Sequence, residues 1–148
     1  MITARREMKR RIDSLRRLSF AAGCTKSELA RLDRLGVRID VQPGHVLTRE
    51  DAYGAECFVV IDGTATVSRR NAAVGIIGPG SIAGEMALLY SVPRTATVVA
   101  CTPMRVLALS ASEFRQLLDI APSVRASVYG IAATRAAEPA VRCPVGRG

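Results

Sequence analysis

The sequence predicts a mainly β fold with flanking helices, an antiparallel β-roll or jelly-roll barrel, and three observations predict it. Between Val37 and Leu109 apolar and polar residues alternate with period two in short runs. The runs are punctuated by Pro43-Gly44, Gly54, Asp62-Gly63, Asn71 and Pro103. On either side of this region the apolar period becomes helical. The 148 residues suit one domain with its own core, and 49% apolar content with 4% aromatic and no Trp makes that core aliphatic.

The chain opens on a basic arm. Residues 1–20 hold seven of the Lys and Arg residues against two acids, so most of the net charge of +8 sits there. Met8, Ile12, Leu15 and Leu18 form a narrow apolar stripe on a helix whose other faces are rich in arginine. The favoured reading packs this stripe on its own domain or on a dimer mate, with the basic face solvated. An anionic membrane and nucleic acid phosphates are the other partners such a helix suits.

Thr25-Lys26-Ser27-Glu28 has the spacing of a capping box and predicts a helix over 26–35 that stops at Gly36, with Leu29 and Leu32 inward. Strands follow at 37–41, 45–48, 57–61, 64–68, 73–77, 95–100 and 104–109, with Asp62-Gly63 as a hairpin turn. His45, remote from other His, Cys or carboxylate clusters, is expected at the surface. Ser110-Ala111-Ser112-Glu113 repeats the capping pattern and starts a helix to about 120, inward at Phe114, Leu117 and Leu118. A last helix is predicted over 122–137, with Val124, Val128 and Ile131 on one stripe, before Pro139 and Pro144. The expected division is a helical arm over 1–22, a domain over 23–138 and a short flexible tail over 139–148.

Several classes of chemistry find no support. Cysteines 24, 57, 101 and 143 are widely spaced and the chain has one His, so neither a metal site nor a redox pair is expected and the thiols are read as reduced. No phosphate-hydrolysing Gly-Lys-Ser/Thr loop, nucleophile elbow or catalytic His partner is present, so no catalytic residue and no enzyme activity is assigned. No leader pattern opens the sequence, and the longest uncharged run, 71–84, is broken by glycines and Pro79. A cytoplasmic protein without a transmembrane segment is expected.

The most informative stretch is 78–98. Gly78, Gly80 and Gly84 allow close approach of backbone to a ligand, and Glu85-Met86-Ala87-Leu88-Leu89 makes about one turn of helix whose N–H groups face an anion. Arg94, nine residues after Glu85, follows a loop stopped by Pro93 and precedes the alternating Thr95-Ala96-Thr97-Val98. The arrangement sets one carboxylate and one guanidinium across a small polar hole. A guanidinium suits an oxyanion because its planar fork is bidentate, and an ionised carboxylate suits a hydroxyl because it only accepts. Both groups are expected to serve a ligand and not the core, so that replacing them leaves the free fold intact.

In these residues the sequence resembles the cyclic nucleotide-binding domain family, whose phosphate-binding cassette reads Gly-Glu-x-Ala-Leu, a short loop, then Arg-(Ala/Thr/Ser)-Ala. Gly84, Glu85, Ala87, Leu88, Arg94, Thr95 and Ala96 fill every defining position, and the likeness extends through Pro43-Gly44 and Phe58–Gly63 to cover roughly 24–137. The resemblance implies that Glu85 holds the ribose 2′-hydroxyl and Arg94 the cyclic phosphate, with the backbone of Gly84, Met86, Ala87 and Thr95 completing the site. The ligand implied is cyclic AMP, with cyclic GMP the alternative, and Thr95 does not decide between them. The last two helices would form a hinge and lid, with Tyr129 or Arg135 the candidates to cover the base.

The sequence departs from the family pattern at Ile82-Ala83 and Cys57, where aromatics are common, and at Asp51, where a turn glycine is usual. These departures are read as loosening packing without touching ligand groups. Eleven residues after Ala137 leave no space for the helix-turn-helix of the family's transcription factors, so DNA is not an expected partner. The expected function is a stand-alone sensor that moves its lid helix and signals to an effector protein not identified by the sequence, with a homodimer through the helices. The alternative is a ligand-free interaction or dimerisation module of the same fold.

Overall fold

The computed structural model describes residues 2–18 and 21–120. The predicted last helix, with Tyr129 and Arg135, and the tail lie outside the described residues.

Thr25 caps a helix as predicted. Its hydroxyl accepts from the Glu28 N–H at 3.1 Å and its N–H donates to the Glu28 carboxylate at 2.7 Å, starting α2 (Lys26–Leu35). α2 ends before Gly36, but that residue is extended (φ −121°), so no left-handed turn stops the helix. Gly36 is needed for close approach, because a Cβ there would overlap the Ala108 carbonyl and the Leu109 side chain. Upstream, α1 (Ile2–Arg16) buries Ile12 and Leu15, with Leu18 just beyond it, in one cluster with Leu29 and Leu32. The arm therefore packs on its own domain. Asp33 fastens it, accepting from Arg11 of α1 at 3.0 Å and from Arg38 of the first strand at 2.9 Å.

The strands are β1 (Val37–Val41), β2 (Val46–Thr48), β3 (Glu56–Asp62), β4 (Ala65–Arg69), β5 (Ala72–Ile77), β6 (Ile82–Ala83), β7 (Thr97–Ala100) and β8 (Met104–Ser110). A short helix, α3 (Glu85–Tyr90), interrupts them after β6, and α4 (Ala111–Ile120) follows. They form two four-stranded antiparallel sheets, in orders β1-β8-β3-β6 and β2-β7-β4-β5. The fold is the expected β-roll with flanking helices, built as two sheets around a common core.

Gly63 takes φ +89° and packs so closely on the Pro103 carbonyl that a side chain is excluded. The predicted Asp62-Gly63 hairpin does not form, because this turn carries the chain from β3 in the first sheet to β4 in the second. Arg70 and Asn71, at φ +52° and +64°, make the two-residue link between β4 and β5, both left-handed as the twist of a tight hairpin requires. Ser110 and Glu113 exchange capping bonds of 2.8 and 3.1 Å, and Phe114, Leu117 and Leu118 of α4 are buried as predicted.

The two middle strands of the first sheet, β3 and β8, are covered on both faces along their apolar runs. Cys57, Val59, Ile61, Leu107 and Leu109 join the helical cluster, while Phe58, Val60, Met104, Val106 and Ala108 join the cluster between the sheets. His45 is exposed, as expected. The reading of all cysteines as reduced holds for Cys24 and Cys57 and fails at Cys101, which is disulfide-bonded.

Candidate functional site

The turn Gly78-Pro79-Gly80 is clamped to β3: Gly80 donates to the Val60 carbonyl and Val60 to that of Ser81, both at 2.9 Å. Two residues of strand follow, with Ile82 opposite Val59 and Ala83 opposite Phe58. Alternation rules do not detect a strand this short, and β6 is absent from the sequence reading. It delivers Gly84 beside the start of β3. Gly84 is left-handed (φ +89°, ψ −1°), a conformation costing a side-chain-bearing residue roughly 1–2 kcal/mol, and it turns the chain into α3.

α3 opens on Glu85, whose side chain is fully buried, and Ala87 is buried two residues on. Met86 is its second residue. Arg94 returns from the loop after α3 and is pinned through its main chain, donating to the Ala52 carbonyl and accepting from the Asp51 N–H, each at 2.8 Å. Asp51 there is left-handed (φ +68°), which explains why a glycine suits this position and shows Asp adopting the same turn. These bonds hold residue 94 out of the strand, so β7 begins at Thr97 and not at the predicted 95.

The Arg94 side chain, 8% exposed, lies in a cradle. Its Nη1 donates to the Glu56 carbonyl at 2.6 Å, and Gly54 and Gly84 approach the guanidinium so closely that a Cβ on either would overlap it. Gly54 and the Glu56 carbonyl were missed by the sequence reading, which used Gly54 only as a strand separator. The available signal was a glycine two residues ahead of the longest apolar strand.

Gly84, Glu85, Ala87, Arg94 and Thr95 meet around one cavity, closed by Thr48, Val67, Ala96 and Val98. Thr48 donates to the Ala96 carbonyl at 3.0 Å and Arg69 to that of Thr95 at 3.1 Å, which fixes the cavity wall. The cavity holds about 20 Å³, the space of a single water. Beyond Arg94 and Thr95 it is flanked by an open hollow of about 770 Å³ lined by Glu50, Arg69, Arg70, Val74, Val92 and Pro93, among others.

Burial pulls the pKa of Arg94 below its ordinary value, while nearby anionic groups, Glu56 and Glu85 among them, push the other way. Burial likewise pushes the Cys57 thiol up, with the Glu85 charge adding to the effect and Arg94 opposing it. Cys57 therefore borders the charged pair, and with Ile82 and Ala83 it is fully buried. Burial corrects the expectation that Glu85 and Arg94 are independent of the core, since both are enclosed to the degree of its aliphatic residues. Among the described residues no cluster of His, Cys, Asp and Glu suits a metal ion, and no helix is long and apolar enough to cross a membrane.

Compared with known proteins, residues 38–120 match the family model described as the cyclic nucleotide-binding domain. The cGMP-dependent protein kinase egl-4 of Caenorhabditis briggsae is 30% identical over 105 residues, covering 71% of this chain and 14% of the kinase. A cyclic nucleotide-gated potassium channel of Mesorhizobium japonicum is 36% identical over 84 residues, covering 57% of this chain and 23% of the channel. The chain thus spans less than a quarter of the length of either relative. A solved structure of PKAR CBD2 bound to Sp-2Cl-cAMPS superposes with a TM-score of 0.76 at 23% identity, covering 88% of this chain and 89% of that one, a likeness of fold.

Proposed function

Because this chain belongs to the cyclic nucleotide-binding domain family, we propose that it is a sensor of a cyclic nucleotide, cyclic AMP first and cyclic GMP second, which signals to a partner protein. The observation that carries the reading is the enclosure of a carboxylate and a guanidinium, Glu85 and Arg94, around one cavity at the glycine start of α3. Two buried opposite charges beside glycines that bring backbone close to the guanidinium suit a ligand with a hydroxyl and a monoanionic phosphate.

In this proposal Arg94 holds the cyclic phosphate with the N–H groups of α3, and Glu85 accepts from the ribose hydroxyl. The contact to Glu56 uses one of the five N–H donors of a guanidinium. The base lies in the open hollow beside Thr95 and Arg69. A ligand of this size needs several hundred Å³, so binding widens the inner cavity and moves the loop 49–55 that rests on Arg94. That movement, with a lid from the last helix carrying Tyr129 or Arg135, is the proposed signal to a cytoplasmic effector. Domain boundaries of 23–138 for the sensing unit belong to the same proposal.

Isothermal calorimetry with cyclic AMP, cyclic GMP and 5′-AMP tests it. Binding of a cyclic form at micromolar concentration, with 5′-AMP much weaker, is expected, and absence of heat for all three at millimolar concentration rejects it.

The tightness of the cavity and the contact of Arg94 to the protein's own main chain favour one other reading, a ligand-free interaction or dimerisation module. It requires a melting temperature indifferent to nucleotide, together with association that grows with protein concentration in sedimentation.

A further inference from the structure

We infer that the outward face of α1 docks on an anionic lipid bilayer. Arg5, Arg6, Lys9, Arg10, Arg16 and Arg17 are all exposed on or directly after this helix. At 3.6 residues per turn they fall into two adjacent rows, Arg5, Lys9 and Arg16 in one and Arg6, Arg10 and Arg17 in the other. Within each row the steps are roughly 6 and 10 Å along the axis. Arg17 keeps helical register because its N–H donates to the Asp13 carbonyl at 3.3 Å. The opposite side of the helix is fixed, since Ile12, Leu15 and Leu18 are buried in the domain and Arg11 is bound to Asp33. The first row therefore faces away from the protein, Asp13 lies between the rows, and Arg10 and Arg17 of the second row stay exposed at the edge of a hollow shared with Glu7, Asp40 and Asp62.

Beside the first row runs a groove of about 330 Å³ lined by the apolar Met8 and Ile12, by four cations, Arg5, Lys9, Arg16 and Lys26, and by one carboxylate, Asp13. Met8 is 43% exposed there, unlike the rest of its stripe. Apolar side chains among an excess of cations match an anionic amphiphile. Headgroup phosphates meet the cations, and the apolar region just below them meets the flexible thioether of Met8. A single-stranded nucleic acid would use stacking surfaces instead, and residues 1–19 contain no aromatic side chain. Since the main apolar stripe is already used within the fold, docking needs no release of α1 and leaves the charged rows to supply most of the attraction. Each Lys or Arg held near an anionic surface strengthens binding by about fivefold.

The test is flotation of the full chain with phosphatidylcholine vesicles and with vesicles in which phosphatidylglycerol replaces part of the phosphatidylcholine. Binding is expected only to the anionic vesicles, weakening as ionic strength rises past about 0.15 M, where the Debye length falls below roughly 8 Å. The triple variant Arg6→Gln/Arg10→Gln/Arg17→Gln should bind on the order of a hundredfold more weakly. Met8→Ser, which keeps every cation, should bind several-fold more weakly. All four side chains are exposed, so circular dichroism of both variants should match that of the parent. The inference is overturned by equal binding of parent and triple variant, or by no binding to anionic vesicles at low salt. It is also overturned by an unchanged Met8→Ser together with tighter binding to an oligonucleotide than to vesicles at equal phosphate concentration, which assigns the face to nucleic acid.

Discussion

The Nη1 of Arg94 donates to the main-chain carbonyl of Glu56 at 2.6 Å, so the guanidinium proposed for a phosphate is held by the first residue of β3. A charged donor makes such a bond roughly twice as strong as a neutral one. It keeps Arg94 aimed at the cavity before any ligand arrives, and it ties the cassette to the central strand of the fold.

Arg94→Leu is expected to weaken cyclic nucleotide binding by about 2–5 kcal/mol, because a phosphate is left without its charge partner. Arg94→Lys should recover part of this, returning the charge without the fork. Glu85→Gln should cost about 1–2 kcal/mol. Since the Glu56 carbonyl also loses its donor, Arg94→Leu should lower the stability of the free protein by about 1–3 kcal/mol. Calorimetry and urea titration separate the two effects, and parental affinity in Arg94→Leu contradicts the site.

Gly54→Ala and Gly84→Ala should both displace the guanidinium, with affinity falling at least about tenfold, near 1.4 kcal/mol. They differ in the free protein. Gly84 is left-handed and its substitution adds about 1–2 kcal/mol of backbone strain, whereas Gly54 has no positive φ. Thermal melts should therefore show the larger loss for Gly84→Ala, and an equal loss would place the Gly54 effect in the backbone too.

The Cys57 thiol supplies a pH dependence with a fixed sign. Its folded pKa lies above the ordinary 9.0, so the folded state keeps the proton that the unfolded chain releases. Stability from this group is complete below pH 9.0 and is lost as pH rises beyond it. Denaturant titrations across that range should show the parent losing about 1.4 kcal/mol per pH unit relative to Cys57→Ala. Parallel pH profiles for the two proteins would show that the thiol titrates freely when folded.

Leu15→Ala in α1 should cost about 2–5 kcal/mol, since the side chain is fully enclosed in the helical cluster. Met8→Ala, on the exposed end of the same stripe, should change stability by less than about 0.5 kcal/mol. Equal and small effects would mean that α1 is not part of the cooperative unit.

The elements that the sequence made legible are those with a local cause. Thr25 and Ser110 start helices because their hydroxyls and the glutamates three residues on satisfy each other, and that spacing is visible without coordinates. The cassette was legible because Gly84, Glu85 and Arg94 lie within eleven residues of one another. What brings Gly54 and the Glu56 carbonyl to Arg94 is long-range pairing of β3 with β6, which leaves no periodic trace in a two-residue strand. Gly36 shows the same limit: its position at a helix end marked the stop, whereas the reason for glycine is the β8 backbone beside it.

The two middle strands of the first sheet, β3 and β8, send odd-numbered residues to the helices and even-numbered ones to the second sheet. Neither strand has a solvent face along its apolar run, so neither offers sites of neutral drift. A change of volume at Val59 is felt by α1, α2 and α4, and one at Val60 by the strands opposite, so substitutions there persist only when a neighbour changes with them. Families of such chains should accordingly vary more freely at the exposed positions of β4 and β5 than along the apolar runs of β3 and β8, which evolve in correlated steps.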